Sequence, residues 1–139
     1  MAPQRVYRTQ VPIRFTHCDP AGIVFYPRYF EMFNDLVEDW CRDGLQFPFP
    51  ELINNRGWGV PTVRLEVDFV APSTFGEVLA ATLRVHSVGT SSIALEIQLS
   101  GPQDEVRVRG KVVLVLIDRK VRKAIPLPDD LRSRILEFK

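Results

Sequence analysis

The chain has 139 residues, 45% of them apolar and 25% charged, a length that fits one domain with a core able to hold itself together. Its 18 basic and 17 acidic residues leave a net charge of +1, without the basic excess of a nucleic-acid binder. No apolar run reaches the length of a membrane span, the opening MAPQRVYRTQ lacks the apolar stretch of a signal peptide, and two cysteines and two histidines suggest neither a disulfide framework nor a zinc site, so a cytoplasmic protein without a metal is expected.

Val11, Ile13 and Phe15 alternate with polar neighbours and predict a first strand, which Pro12 places at an edge or makes irregular. The loop His17–Cys18–Asp19–Pro20–Ala21–Gly22 follows, rich in residues that break regular structure. Tyr29, Phe30, Phe33, Leu36, Val37 and Trp40 then recur at three- and four-residue spacing and predict a helix. Pro27 suits its first turn and Gly44 reads as its stop. The broad aromatic stripe of this helix requires a large surface to bury it.

The segment from Phe47 to Gly59 reads as irregular, and only strands follow it. Val63, Leu65, Val67 and Phe69 alternate with polar residues. So do Leu79, Ala81, Leu83 and Val85, then Ile93, Leu95, Ile97 and Leu99, then Val106, Val108, Val112, Leu114 and Leu116. Each run has one apolar and one wet face. Val113, Val115 and Ile117 make the second face of the last strand apolar too, which a central strand or a subunit contact explains. Residues 70–77, 89–91 and 101–104 read as antiparallel turns, and Asp129 to Phe138 as a short closing helix. One buried helix and a long antiparallel meander give an α+β fold, with the sheet curled around the helix, in one domain over residues 1–139.

Asp19 is the leading candidate for chemistry. Aspartate is common in such loops as a turn or capping residue. Its place before a helix also allows a catalytic role. Free N–H groups at a helix start bind anions, and donors aimed at the charge developing on an attacked carbonyl stabilise the attack on it. A carboxylate nearby can attack the carbonyl carbon or activate water. His17 and Cys18 offer a Cys–His nucleophile, but adjacent residues of an extended segment point opposite ways, so an inert Cys18 is the simpler reading. Cys41 reads as core or interface and His86 as exposed.

The segment Phe15 to Tyr29, FTHCDPAGIVFYPRY, resembles the signature of the 4-hydroxybenzoyl-CoA thioesterase family, above all in its core D-P-A-G-I-V-x-Y-P. The resemblance implies the hotdog fold, a five- or six-stranded sheet wrapped around a long helix. It implies hydrolysis of an acyl-CoA to free acid and CoA, with no metal or redox cofactor. It makes Asp19 the catalytic nucleophile or general base and gives the Tyr26 backbone N–H the task of polarising the thioester carbonyl. Gly22 matches the small residue that lets the loop pass close to substrate, with plain turn geometry as an equal alternative.

Later matches follow the same resemblance. Gly59–Val60–Pro61 resembles the strand entry beside the acyl pocket. The family's benzoyl enzyme has a hydroxylated residue where Val60 stands, so a more apolar pocket is implied here. Gly89–Thr90–Ser91–Ser92 resembles the turn lining the pantetheine and acyl region, although the basic cluster found near it in that enzyme is missing. Lys123 matches a basic residue that contacts CoA phosphate, and Arg119, Lys120 and Arg122 stand beside it; a solvated basic turn is the alternative. Trp58, with Phe47 and Phe49, borders the acyl site by the same implication, or packs in the core. The family forms dimers that often pair into tetramers, with active sites at subunit boundaries, so a homodimer or homotetramer is expected. The substrate expected is an aromatic, benzoyl-type acyl-CoA. The alternatives are a short- or medium-chain aliphatic acyl-CoA or acyl-carrier-protein thioesterase, and a noncatalytic acyl-CoA-binding domain.

Overall fold

The computed structural model describes residues 4–139, and the first three residues of the expected 1–139 domain lie outside it. Helix α1 (Pro27–Asp39) begins with Pro27 in its first turn, where the missing N–H breaks no bond. It buries Tyr29, Met32, Phe33, Leu36 and Val37. The surface it covers is one face of a five-stranded antiparallel sheet in the order β1-β4-β5-β6-β3. Its strands are β1 (Tyr7–Pro12), β3 (Thr62–Phe69), β4 (Val78–Val88), β5 (Ser92–Ser100) and β6 (Val106–Val115). A smaller sheet, β2-β7-β8, joins β2 (Trp58–Gly59), β7 (Ile117–Asp118) and β8 (Lys123–Ala124). Helix α2 (Asp129–Leu136) closes the chain. No helix among the described residues is long and apolar enough to cross a membrane.

The period-two pattern read from the sequence becomes the core. Leu79, Ala81, Leu83 and Val85 of β4, Ile93, Leu95, Ile97 and Leu99 of β5, and Val108, Val112 and Leu114 of β6 pack in one cluster with the helix stripe. Each large side chain so buried contributes about 1.5–3 kcal/mol. Gly110 of β6 lies in register with Val67 and Ile97, and it lets the helix come close. A Cβ there would stand 2.5 Å from Phe33 Cε2.

Four sequence expectations change. The first strand starts earlier, at Tyr7, and ends at Pro12. Ile13 is buried beyond its end, while Phe15 lies in a 3-10 turn and is 78% exposed. The turn, closed by the His17 N–H on the Arg14 carbonyl, lifts Phe15 away from the sheet. Gly44 is no left-handed stop. The chain runs on from α1 into a wider turn closed by the Leu45 N–H on the Trp40 carbonyl, and the left-handed residue is Gln46. Gly44 supplies space instead, because a Cβ would lie 2.7 Å from Trp40 Cδ1. Within the segment expected to be irregular, Pro50–Asn55 forms a helical turn before β2. The fourth change concerns β3, whose apolar face is largely exposed: Val63, Leu65 and Phe69 are 60%, 38% and 50% exposed, while Val67 packs against the core. β3 is an edge strand, and α1 meets it at the Phe69 end, through Tyr29 and Phe30. β6 lies between β5 and β3 and ends at Val115, so Ile117 falls in β7 of the small sheet, and Val113 and Val115 on the second face of β6 stay partly exposed.

Gly110→Ala should lower stability by about 1–3 kcal/mol, the usual cost of an extra methyl in a packed core, measured by urea or thermal unfolding. A change near zero would show that Phe33 yields to the added methyl.

Candidate active site

Asp19 sits in a tight hairpin directly before α1. Cys18 bridges Val24, the Asp19 N–H donates to the Ile23 carbonyl at 3.0 Å, and the Phe25 N–H donates to the His17 carbonyl at 2.9 Å. The turn is completed by the Gly22 N–H on the Asp19 carbonyl at 2.9 Å. Gly22 has φ of +82°, and a Cβ on it would meet nothing within 4 Å. Turn geometry therefore accounts for this glycine within the chain. The half-exposed Asp19 carboxylate accepts the Ala21 N–H on Oδ1 at 2.9 Å. Among the described residues Oδ2 has no such partner.

The start of α1 leaves one backbone donor over. Phe25 N–H is taken by His17, Arg28 N–H by the Phe25 carbonyl, and Tyr29 N–H by the Tyr26 carbonyl, while Pro27 has none. Among the described residues the Tyr26 N–H meets no acceptor, and it lies at the positive end of the helix dipole. The Tyr26 ring is 57% exposed. It stands edge-on to Phe25, Phe30 and Phe69, at centroid distances of 5.5, 6.2 and 6.0 Å.

His17 and Cys18 both turn to the backbone. His17 Nδ1 accepts the Arg14 N–H at 2.8 Å, and Cys18 Sγ lies 3.6 Å from the Arg14 carbonyl oxygen. They form no Cys–His pair. Burial, and then the Arg14 charge, lower the His17 pKa. Cys41 is buried, which pushes its thiol up to about 12 and leaves it inert.

The remaining candidates gather at the other end of β3. Trp58 pairs with Asp118 in the small sheet, with the Arg56 guanidinium 5.0 Å above its ring. Val60 is half-buried against the core. The Thr90 and Ser91 carbonyls accept the Leu127 and Leu116 N–H groups at 2.9 and 2.8 Å, which ties the β4–β5 turn to the segment carrying the basic hairpin. Arg122 and Lys123 are exposed on that hairpin. Asp118 organises it, accepting the Lys120 N–H on Oδ1 and the Arg122 N–H on its carbonyl. Thus Trp58, Val60, Thr90, Ser91, Arg122 and Lys123 form one group, while Asp19, Gly22 and Tyr26 form another. Phe69 touches the second group, and the opposite end of β3 adjoins the first. The seven steps between Thr62 and Phe69, at about 3.3 Å each, hold the two ends roughly 23 Å apart.

The exposed rings of Phe25 and Phe69 beside Tyr26 escaped the sequence reading. The alternation of β3 marked Phe69 as core, and only the tertiary structure shows that its ring, met by Tyr26, Tyr29 and Phe30, stays half exposed.

The family model described as the thioesterase-like superfamily matches residues 13–135. A 4-hydroxybenzoyl-CoA thioesterase from Pseudomonas is 28% identical over 134 residues, covering 87% of this chain and 91% of the relative. A 1,4-dihydroxy-2-naphthoyl-CoA hydrolase from Synechocystis is 24% identical over 133 residues, covering 95% and 94%. The structure of a gentisyl-coenzyme A thioesterase superposes with a TM-score of 0.81 at 27% identity, covering 95% of this chain and 99% of that one.

His17 gives a pH test of the hairpin. Its folded pKa lies below the ordinary 6.5, so the unfolded chain takes up the proton first. Its contribution is complete above pH 6.5 and is lost as pH falls from there through the folded pKa. The His17 ring resonance should titrate with a midpoint below 6.5 by NMR; a midpoint at or above 6.5 would mean that the ring is not held half-buried beside Arg14 in solution.

Proposed function

This chain belongs to the thioesterase-like superfamily and is a thioester hydrolase with the hotdog fold, and from that premise we propose that it hydrolyses an aromatic, benzoyl-type acyl-CoA to the free acid and CoA. Asp19 attacks the thioester carbonyl or removes a proton from the attacking water. The C–S bond breaks, and CoA leaves as its thiolate and takes up a proton; where Asp19 has attacked, water then hydrolyses the acyl–Asp19 anhydride, which releases the free acid and restores the carboxylate. The Tyr26 N–H holds the oxyanion meanwhile. The observation that carries this reading is that N–H, the donor left unused where the hairpin meets α1. It stands in the segment that also holds a carboxylate with one oxygen fixed and the other free. A donor of this kind is worth about 2.7–4 kcal/mol in a transition state.

The exposed rings around Tyr26 support an aromatic acyl group, since they offer it edge-to-face partners. The relatives above are named for benzoyl, naphthoyl and gentisyl esters. In this reading Arg122 and Lys123 bind CoA phosphates, Thr90 and Ser91 line the pantetheine arm, and Trp58 and Val60 wall the acyl pocket. Two free cysteines fit a reducing cytoplasm.

A second copy completes the site. The two groups of candidate residues lie at opposite ends of β3, whose outer edge is unpaired and whose apolar face is largely exposed. Antiparallel pairing of two β3 edges sets Asp19 and Tyr26 of one copy beside Val60 and Lys123 of the other, and covers Val63 and Leu65. Charges alternate across the opposite sheet face, Arg84, Glu96, Lys111, Glu66, which supports pairing of two such dimers into a tetramer.

Thiol release from benzoyl-, hydroxybenzoyl-, phenylacetyl- and aliphatic-CoA esters tests the chemistry. Asp19→Asn should keep its fold and lose roughly 10²–10⁴-fold in kcat, the usual share of a positioned acid or base. Full activity in that variant would sink the mechanism, and preference for an aliphatic ester would select the aliphatic alternative. For the assembly, Leu65→Lys should convert the sedimenting dimer to monomer and abolish turnover together. A wild-type enzyme that sediments as an active monomer would refute the two-copy site.

A further inference from the structure

One arginine outside the candidate site ties down the loop against which the Asp19 hairpin leans. The loop 70–77 between β3 and β4 touches the Asp19 segment on both sides. At the start, the Ile13 N–H donates to the Glu77 carbonyl at 2.8 Å and the Gly76 N–H donates to the Ile13 carbonyl at 3.1 Å. At the end, the Val24 N–H donates to the Ser73 carbonyl at 2.9 Å, and Ile23 bridges Thr74. Tyr29, in the first turn of α1, has its hydroxyl pKa raised by burial, and the neighbouring Ser73 and the Arg107 charge oppose that rise. The hairpin and the helix start thus lean on one short loop.

That loop is held from β6 by Arg107. Its Nη1 donates to the Pro72 carbonyl, Ser73 Oγ and Glu77 Oε1, each at 3.0 Å, and its Nη2 donates to Glu77 Oε2 at 2.8 Å and Glu105 Oε1 at 2.7 Å. The Arg107 carbonyl also accepts the Val70 and Ala71 N–H groups at 2.9 and 3.1 Å. The side chain is 11% exposed, and Ser73 is fully buried. A flat guanidinium can serve the carbonyl, the hydroxyl and both carboxylates at once, and a lysine ammonium cannot. Arg107, first through its hydrogen bonds, holds the Glu77 carboxyl down to about 2, so the pair stays ionised at any working pH.

We propose that Arg107, with Glu77 and Ser73, is a positioning unit for the reaction: it touches no substrate but fixes the Asp19 hairpin relative to the first turn of α1. The reaction part rests on the reading of Asp19 and Tyr26 above. The fixing of the hairpin stands on the geometry alone. Misplacing a catalytic group by about 1 Å costs up to roughly 10²-fold in rate, and ground-state binding need not change with it.

The test compares Arg107→Lys and Glu77→Gln with Arg84→Lys, which alters an ion pair of the outer sheet face (Arg84 to Glu96, 2.7 Å) that has no contact with the hairpin. Amide exchange is followed at Asp19 and Val24, and at Ala81 and Leu83 in the sheet, along with kcat and KM on the preferred ester. Both clamp variants should speed exchange at Asp19 and Val24 alone and lower kcat roughly 10–100-fold with KM within about threefold; Arg84→Lys should change neither. If Arg107→Lys does not fold, Glu77→Gln and Ser73→Ala carry the same comparison. Unchanged hairpin exchange, exchange rising equally in the sheet, or undiminished kcat would each overturn the proposal. Were the wild type inactive on every ester, the functional reading would fall, and the exchange comparison would still decide whether Arg107 holds the hairpin.

Discussion

The burial of α1 against the sheet sets the positions of everything else. Its aromatic stripe has one surface large enough to receive it, the face built by β4, β5 and β6. Phe33 comes down on Gly110, where the missing side chain lets helix and sheet approach. Once the helix is fixed there, its N-terminus lies at one end of β3, next to Phe69. The hairpin bearing Asp19 precedes that N-terminus by a few residues and has to meet it there. A dipole end, an unused N–H and a carboxylate thus come to one place as a consequence of core packing.

A single helix is narrower than a five-stranded sheet, and it meets β3 at the Phe69 end while leaving Val63 and Leu65 exposed. The strand keeps the alternation of a core strand yet exposes Val63, Leu65 and Phe69. Apolar surface beside unpaired backbone groups is a liability in a monomer. In the proposed dimer a second copy would cover it. Charge on the opposite face of β3, at Arg64, Glu66 and Asp68, keeps that side wet.

The hairpin itself is held differently from the core. Beyond its own turn it bonds to loop 70–77, and Phe15 and Phe75, which meet edge-on beside these two segments of chain, are exposed. Loops that carry function depend on a rigid scaffold beneath them. Here β6 is linked to loop 70–77 by polar contacts: one arginine bound to two carboxylates, a hydroxyl and a carbonyl. Directional bonds of this kind fix position more narrowly than apolar contact does.

Sequence alone determined whatever depends on neighbours along the chain. The spacing of Tyr29, Phe33, Leu36 and Val37 fixed the helix and its buried face. Alternation in β4, β5 and β6 fixed those strands and their inward sides, because both periods are local properties of the backbone. The D-P-A-G-I-V-x-Y-P run pointed to the hairpin before α1 for the same reason, since a turn is written in consecutive residues. Tertiary structure alone decided the rest. Phe69 and Leu65 alternate just as Leu95 and Leu83 do, and only the strand order makes one pair exposed and the other buried. Gly44 carries the signal of a helix stop, and its use as clearance for Trp40 depends on a side chain packed beside it. Arg107, Glu77 and Ser73 read as an ordinary strand and turn, because their bonds join residues some thirty positions apart. The candidate residues read as one site divide between the two ends of β3, for distance along a chain carries no information about distance across a sheet.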